Sequence, residues 1–436
     1  MKSFAMKPFT RQPEIEVTVP GSKSITNRAL LLAALAEGES VLKGVLFSDD
    51  SRVFMEALQT LGYRVDIDEE KAEVTVRGCG TAIPKDQVTV YVGSAGTAAR
   101  FLTAMLALSG GAYEVTSSEQ MKGRPMRPLL EALEQLGARF EFKEKPYSFP
   151  FVICGRDNVT CDRVFLNIDE SSQFLSALLL TGVFCEQGIK IQLTGRRDAR
   201  AYVNISMKMM EEFGGRMRQT GENEYEILPG QHYRARQYQI EPDVSAACYF
   251  YAMAAINSGT AVVRHVHSDS TQGDIQFLRV LEKMGCNVVD EPQGIRVTGP
   301  EPGELRGVDI NMSDFSDQTM TLAAAAVFAR GTTTITGVEH IRRQESDRLA
   351  GIVTELRKLG IRCEERDDGV TIWPGELSCS ETDPVAIDTY EDHRMAMAFA
   401  VIGTRQPGII IHNPLCCRKT FENYFEVLTN LDLSLS

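Results

Sequence analysis

Two kinds of helix-length hydrophobic segment alternate along the chain. The first is apolar on nearly every side and follows a polar loop. ALLLAALA after PGSKSITNR (Pro20–Arg28) is one example, and FLTAMLAL after GSAGTAAR (Gly93–Arg100) is another. The pattern returns as LSALLL after ESSQF (Glu170–Phe174), then in PDVSAACYF (Pro242–Phe250), FSDQTMTLAAAAVFA (Phe315–Ala329) and EDHRMAMAFAVI (Glu391–Ile402). A helix with no polar face must be buried. The second kind is amphipathic and ends in Leu-Gly or a near equivalent, as in EALQTLGYRVDI, EALEQLGARFEF and ELRKLGIRCEE. Its charged face belongs in water.

The alternation has a period. Ser24, Gly96, Ser172, Val244, Asp317 and His393 mark the apolar series and are 72, 76, 72, 73 and 76 residues apart. Gly62, Gly137, Gly214, Gly285, Gly360 and Asp432 mark the amphipathic series, 75, 77, 71, 75 and 72 apart. Two independent markers with one period indicate six copies of one unit. A glycine follows each apolar helix, at Gly38, Gly110, Gly182, Gly259, Gly331 and Gly403. Glycine there predicts a left-handed helix stop. Between the helices, segments 73–78, 88–93, 190–195, 259–266, 294–299 and 331–337 read as strands, so the fold class is α/β.

Composition bounds the picture. At 436 residues the chain exceeds the ~250–300 at which single cores stop growing, which predicts two domains. No apolar run reaches the ~18 residues of a membrane helix, and the N-terminus lacks an export signal, so a soluble, cytoplasmic protein is expected. The formal charge of −13 disfavours nucleic acid and membrane as partners, so anion binding needs a local cluster of cations. Ten cysteines without a C-x-x-C pair form no disulfide scaffold. His265-Val-His267 has the spacing of a strand rather than of a completed metal site.

The cations are where the repeats lead. Helix N-termini expose unpaired N–H groups and partial positive charge, and so bind anions. At the predicted starts stand Lys23, Arg28, Arg100 and Arg394, with the hydroxyls of Ser24, Ser94, Thr97, Ser171 and Ser172. Three loop stretches add SSEQMKGRPMRP with Arg124, HIRRQESDR (His340–Arg348) and CCRKTF with Lys419. Asp317 and Ser172 also suit plain helix caps, and Arg124, Lys419 and Glu345 suit a solvated surface. Their matching places in a six-fold array favour a shared site. PGSKS is not a P-loop, and SVLK at Ser40–Lys43 lacks the other motifs of a β-lactamase.

The motifs PGSKSITNRALLLAALAEG, AGTAAR, MKGRPM, SSQFLSALL, DQTMTLA, QESDRL, DHRMAMAFA and KTFENYF run in order from residue 20 to 425. Together they resemble the EPSP synthase family of enolpyruvyl transferases. The resemblance implies two domains of three βαβαββ units each, residues 21–240 in one and 1–20 with 241–436 in the other, with an active site in the cleft. It implies a carboxyvinyl transferase of the shikimate pathway, joining phosphoenolpyruvate to the 5-hydroxyl of shikimate 3-phosphate and expelling phosphate. No cofactor or metal is implied, nor any partner besides these small molecules, and a monomer is expected.

By position, Lys23, Arg124, Arg348, Arg394 and Lys419 would hold phosphoenolpyruvate, with Gly96 allowing close backbone approach. Ser24, Arg28, Ser171, Ser172, Gln173, Tyr202, Asp317 and Gln344 would face shikimate 3-phosphate. Asp317 would take the hydroxyl proton and Glu345 would protonate the methylene carbon. Lys23 would assist proton movement and Lys419 phosphate departure. One class of the family accepts glyphosate in place of phosphoenolpyruvate. The chain departs from the family pattern at Ser94, Ala199, Phe101, His340 and Gln344. The alternative is UDP-N-acetylglucosamine enolpyruvyl transferase, which typically carries a cysteine on the loop at 111–124 and an asparagine after the lysine. Here that loop has no cysteine, and Ser24 follows Lys23. A non-catalytic repeat scaffold would not need Asp317 and Glu345 at these starts.

Overall fold

The computed structural model describes residues 2–157, 163–195 and 200–434. The chain folds into two units, Gly21–Ile240 and Met1–Pro20 with Glu241–Ser436, each with its own hydrophobic core. At the centre of the first lie α1 (Lys23–Leu35), α2 (Gly96–Ser109) and α3 (Gln173–Thr181). At the centre of the second lie α4 (Val244–Asn257), α5 (Thr319–Ala326) and α6 (His393–Gly403). These are the apolar segments of the sequence, and they are buried on all sides. The amphipathic segments form the covering helices, such as Asp49–Thr60 and Arg348–Lys358.

One repeat shows the common wiring. Strand Gln87–Tyr91 leads through α2 to the parallel strand Ala112–Thr116. Helix Arg127–Gln135 then leads to the antiparallel pair Ala138–Phe142 and Phe151–Arg156, and the last strand inserts beside Ala112–Thr116. This is a βαβαββ unit with strand order one, two, four, three. Among the described residues the same order recurs in four further sheets.

Two junctions close the repeats on themselves. In the first unit, Tyr233–Arg234 and Gln237–Gln239 return to pair in parallel with Ala36–Lys43, supplying the opening strand of the first repeat. In the second, Glu14–Val17 takes the same place beside Thr260–Arg264. In the sheet of the last repeat, Ser3–Ala5 pairs antiparallel with Ile409–His412, the place that the final strand of the repeat takes in the other sheets.

The expected glycine stops need correction. Gly110 ends α2 in the left-handed region at φ 85°. However, α1 runs straight into strand Ala36–Lys43, Gly182 is helical, and Ser258 rather than Gly259 makes the turn after α4. Gly403 is the last helical residue of α6. Close packing explains some of these glycines. A Cβ on Gly182 would lie 2.1 Å from Ile227, and one on Gly403 2.5 Å from Met6. The second series behaves as stops, with φ between 79° and 105° at Gly62, Gly137, Gly214, Gly285 and Gly360. The strand through His265 ends at Arg264, and His267 instead sits 2.8 Å from Asp290. Among the described residues no helix is long and apolar enough to cross a membrane.

Candidate active site residues in each unit

In the first unit, α1, α2 and α3 begin without a side-chain cap, since Ser22, Ala95 and Ser172 make no capping hydrogen bond. The first N–H groups of α1 and α2 thus receive no side-chain cap, whereas in α3 the Gln173 N–H donates to Ser171 Oγ at 3.3 Å. Ser172 is thus not an N-cap in the side-chain sense, although its residue type suggests one. By contrast, Ser48 caps a covering helix fully, with a reciprocal bond to Ser51.

Around these starts, Lys23 is partly buried with its Nζ 3.5 Å from Asp50. Ser24 lies on the first turn of α1. Arg28 is 2% exposed, and it donates to Ser206 Oγ at 2.8 Å, Ser176 Oγ at 3.1 Å and the Ser24 carbonyl at 2.8 Å. It braces α1 against its neighbours. Arg100 donates to Gln173 Oε1 at 2.5 Å and to the Pro125 carbonyl at 3.1 Å, and Gln173 donates to Thr97 Oγ1 at 3.3 Å. Gln173 is therefore clamped to α2, next to buried Ser171 and Ser172. Arg124 donates to the Ser94 carbonyl at 3.3 Å and lies against Gly96, whose missing Cβ would be 2.7 Å from the guanidinium. Phe101 is fully buried, 5.4 Å from the Arg28 guanidinium carbon. Ala199 lies outside the described residues, and so does the side chain of Tyr202.

In the second unit the candidates converge on one another. Arg348, 1% exposed, donates from Nη1 to Asp317 Oδ1 at 3.1 Å, from Nη2 to Glu345 Oε2 at 2.8 Å and from Nε to Asp392 Oδ2 at 2.8 Å. It also donates to Gln344 Oε1. Arg394 donates to the other oxygen of Asp317 at 2.7 Å. Lys419 Nζ stands 3.9 Å from Glu345 Oε1. Burial opposes the charge on Arg348, but Asp392, Glu345 and Asp317 outweigh it and hold the guanidinium firmly protonated. The same holds for Arg394, where burial is opposed chiefly by Asp317. Asp317 lies within the 3-10 turn Ser316–Gln318 and makes no cap; its carboxylate bridges two guanidiniums. Beside it, Ser316 and His340 share a 2.7 Å hydrogen bond.

Asp392 is the residue that the sequence pattern did not single out. It is fully buried, caps α6 by accepting from the Arg394 N–H at 3.0 Å, and accepts from Ser346 Oγ at 3.1 Å. The loop that delivers it holds Tyr390 and Glu391 at φ 55° and 57°, a conformation costing about 1–3 kcal/mol per non-glycine residue. Glu355 steadies that loop, accepting from the Tyr390 hydroxyl at 2.5 Å and the Asp388 N–H at 3.1 Å. An acidic residue just before a helix was the available signal.

Comparison with known proteins gives one answer throughout. The family model for EPSP synthase (3-phosphoshikimate 1-carboxyvinyltransferase) matches residues 11–428. The 3-phosphoshikimate 1-carboxyvinyltransferase of Trichormus variabilis is 43% identical over 425 residues, 98% of each chain. That of a Sulfurovum species is 39% identical over 433 residues, 99% of each. A solved EPSP synthase from Acinetobacter baumannii superposes with a TM-score of 0.81 at 26% identity, covering 99% of this chain and 98% of its own. With its six βαβαββ-type repeats and its paired arginines on Asp317, the chain belongs to the EPSP synthase family of carboxyvinyl transferases.

Proposed function

We propose that this chain transfers the enolpyruvyl group of phosphoenolpyruvate to the 5-hydroxyl of shikimate 3-phosphate and releases phosphate. The observation that carries the reading is the second-unit cluster, where Asp317 and Glu345 sit on one buried arginine with Arg394 and Lys419 beside them. Such a cluster combines proton-handling carboxylates with cations for an anionic substrate. The two substrates bring phosphate and carboxylate groups to a chain of net charge −13, so cations must outweigh the general repulsion locally.

In this reading Arg124, Arg348 and Arg394 grip the carboxylate and phosphate of phosphoenolpyruvate as planar forks, while Lys23 and Lys419 act as point charges. Ser24, Ser171, Ser172, Gln173, Tyr202 and Gln344 take the shikimate side, with Arg28 exchanging a serine contact for a ligand oxygen. Asp317 accepts the 5-hydroxyl proton as that oxygen bonds to C2 of phosphoenolpyruvate. Glu345 donates a proton to the methylene carbon. Lys419 supports the phosphate as its bond to C2 breaks, and loss of a proton from the methyl group, assisted by Lys23, restores the double bond. Each unit supplies part of this set, and we read the enzyme as a cytoplasmic monomer.

The test is phosphate release from purified protein. It should require phosphoenolpyruvate and shikimate 3-phosphate together. Turnover with UDP-N-acetylglucosamine in place of the shikimate would overturn the assignment.

A further inference from the structure

A second buried carboxyl adjoins the Asp317 cluster. Asp274 lies in the 3-10 turn Gly273–Gln276 and is 5% exposed. Ser245, on the first turn of α4, donates to its Oδ2. Its Oδ1 has no hydrogen-bond partner among the described residues. A buried carboxylate oxygen without a donor is costly unless charge elsewhere compensates.

The surroundings supply that charge. The turn carrying Asp274 packs on the turn carrying Asp317, α4 packs on both, and α4 also packs on α6, which carries Arg394. The ionisable groups acting on Asp274 from these elements are Asp317, Arg394 and Asp243, and the Cys248 thiol lies 3.7 Å from its carbonyl. Burial first, then the charge of Asp317, push the Asp274 carboxyl up to about 6, with Asp243 adding to the rise; Arg394 and the Ser245 hydroxyl pull the other way. Arg394 therefore serves two carboxylates, one by direct contact and one through space.

Two guanidiniums on one carboxylate stabilise its ionised form and weaken it as a proton acceptor. A general base needs the opposite. We propose that Asp274 is a positioning residue for the base, a second carboxylate that shares Arg394 with Asp317 and so preserves the ability of Asp317 to accept a proton. Asp274 exchanges no proton with substrate. The proposal rests on the reading of Asp317 as the base.

The experiment has two arms. Carboxyl ¹³C NMR titration of aspartate-labelled protein, without substrate, reads the coupling directly. In Asp274→Asn the titration step of Asp317 should move to lower pH. Ser245→Ala removes a donor that favours the ionised Asp274, so the Asp274 step should move above its native position; this variant keeps the carboxyl and decides the matter if Asp274→Asn does not fold. Phosphate release against pH is the second arm. At neutral pH Asp274→Asn should lower kcat by roughly three- to ten-fold, a fraction of the about 10²–10⁴ that the proton transfer itself contributes. KM for phosphoenolpyruvate should hold steady or fall, because Arg394 keeps more charge for the anion. In Ser245→Ala the acidic limb of kcat should move to higher pH. An Asp317 step unmoved in Asp274→Asn, an Asp274 step unmoved in Ser245→Ala, or kcat and affinity lost in parallel would overturn the proposal. Wild-type protein with no turnover would instead remove the assigned reaction while leaving the NMR coupling readable.

Discussion

Gly96→Ala is the smallest change that probes how the phosphoenolpyruvate cations are placed. The added methyl would lie 2.7 Å from Arg124 Nη2 and 2.8 Å from both Cζ and Nη1. Ordinary contact begins near 3.4 Å, so the guanidinium must retreat by about 0.7 Å. The atoms met are the far end of a flexible side chain, so the fold should survive. The cost falls on the anion that Arg124 holds. Moving a guanidinium from about 2.8 to about 3.5 Å from a bound anion weakens their attraction by about 1 kcal/mol at an effective dielectric of about 20. KM for phosphoenolpyruvate should therefore rise roughly five- to ten-fold, since about 1.4 kcal/mol is tenfold.

Glyphosate should inhibit the native enzyme and suffer more from the methyl, because it is longer and has less room to shift. Overpacking of about 1–3 kcal/mol corresponds to roughly a five- to 150-fold rise in its inhibition constant. Gly96 thus does not face open space; the room a side chain would take is filled by Arg124. The assay is steady-state phosphate release with phosphoenolpyruvate varied, with and without glyphosate, in wild type, Gly96→Ala, Arg124→Lys and the double variant. If the methyl acts through the guanidinium, Gly96→Ala should cost much less in the Arg124→Lys background. Additive losses would refute the reasoning, and so would a native enzyme that resists millimolar glyphosate.

Asp317→Asn and Glu345→Gln should each lower kcat by about 10²-fold or more, read by phosphate release, because general acid–base catalysis contributes about 10²–10⁴. Folded Glu345→Gln protein with unaltered turnover would exclude the acid role. Asp392→Asn should lower stability by about 3 kcal/mol or more in urea melts, because it leaves Arg348 buried with one full partner fewer, and breaking a buried pair costs about 3–5 kcal/mol. An unchanged midpoint would show that Asp317 and Glu345 suffice to hold Arg348.

What could be read from the sequence was periodic, and what could not was a matter of direction. The six buried helices announce themselves because no polar face interrupts them, and the Leu-Gly series because a left-handed turn after a helix favours glycine. Position along a period does not say where a long side chain points. Arg28 and Arg394 look alike in the sequence, each a cation near a buried helix start. Arg28 turns in to three oxygens of its own unit, whereas Arg394 meets Asp317. Acidic residues were harder still. Asp392 precedes a helix, where a carboxylate is expected as a cap, and nothing local reveals that the same oxygens hold Arg348 across 44 residues of chain. Asp274 sits in TQGDIQF, where nothing local marks it as buried; its burial depends on α4 of its own repeat and on the turn carrying Asp317 packing against it. The junction strands are a further case. Ser3–Ala5 is too short to carry an alternation, and it becomes a strand only because the last repeat leaves an edge unpaired. In each case the deciding energy is a pairing between distant segments, charge with charge or edge with edge, and such pairings have no local spacing to betray them.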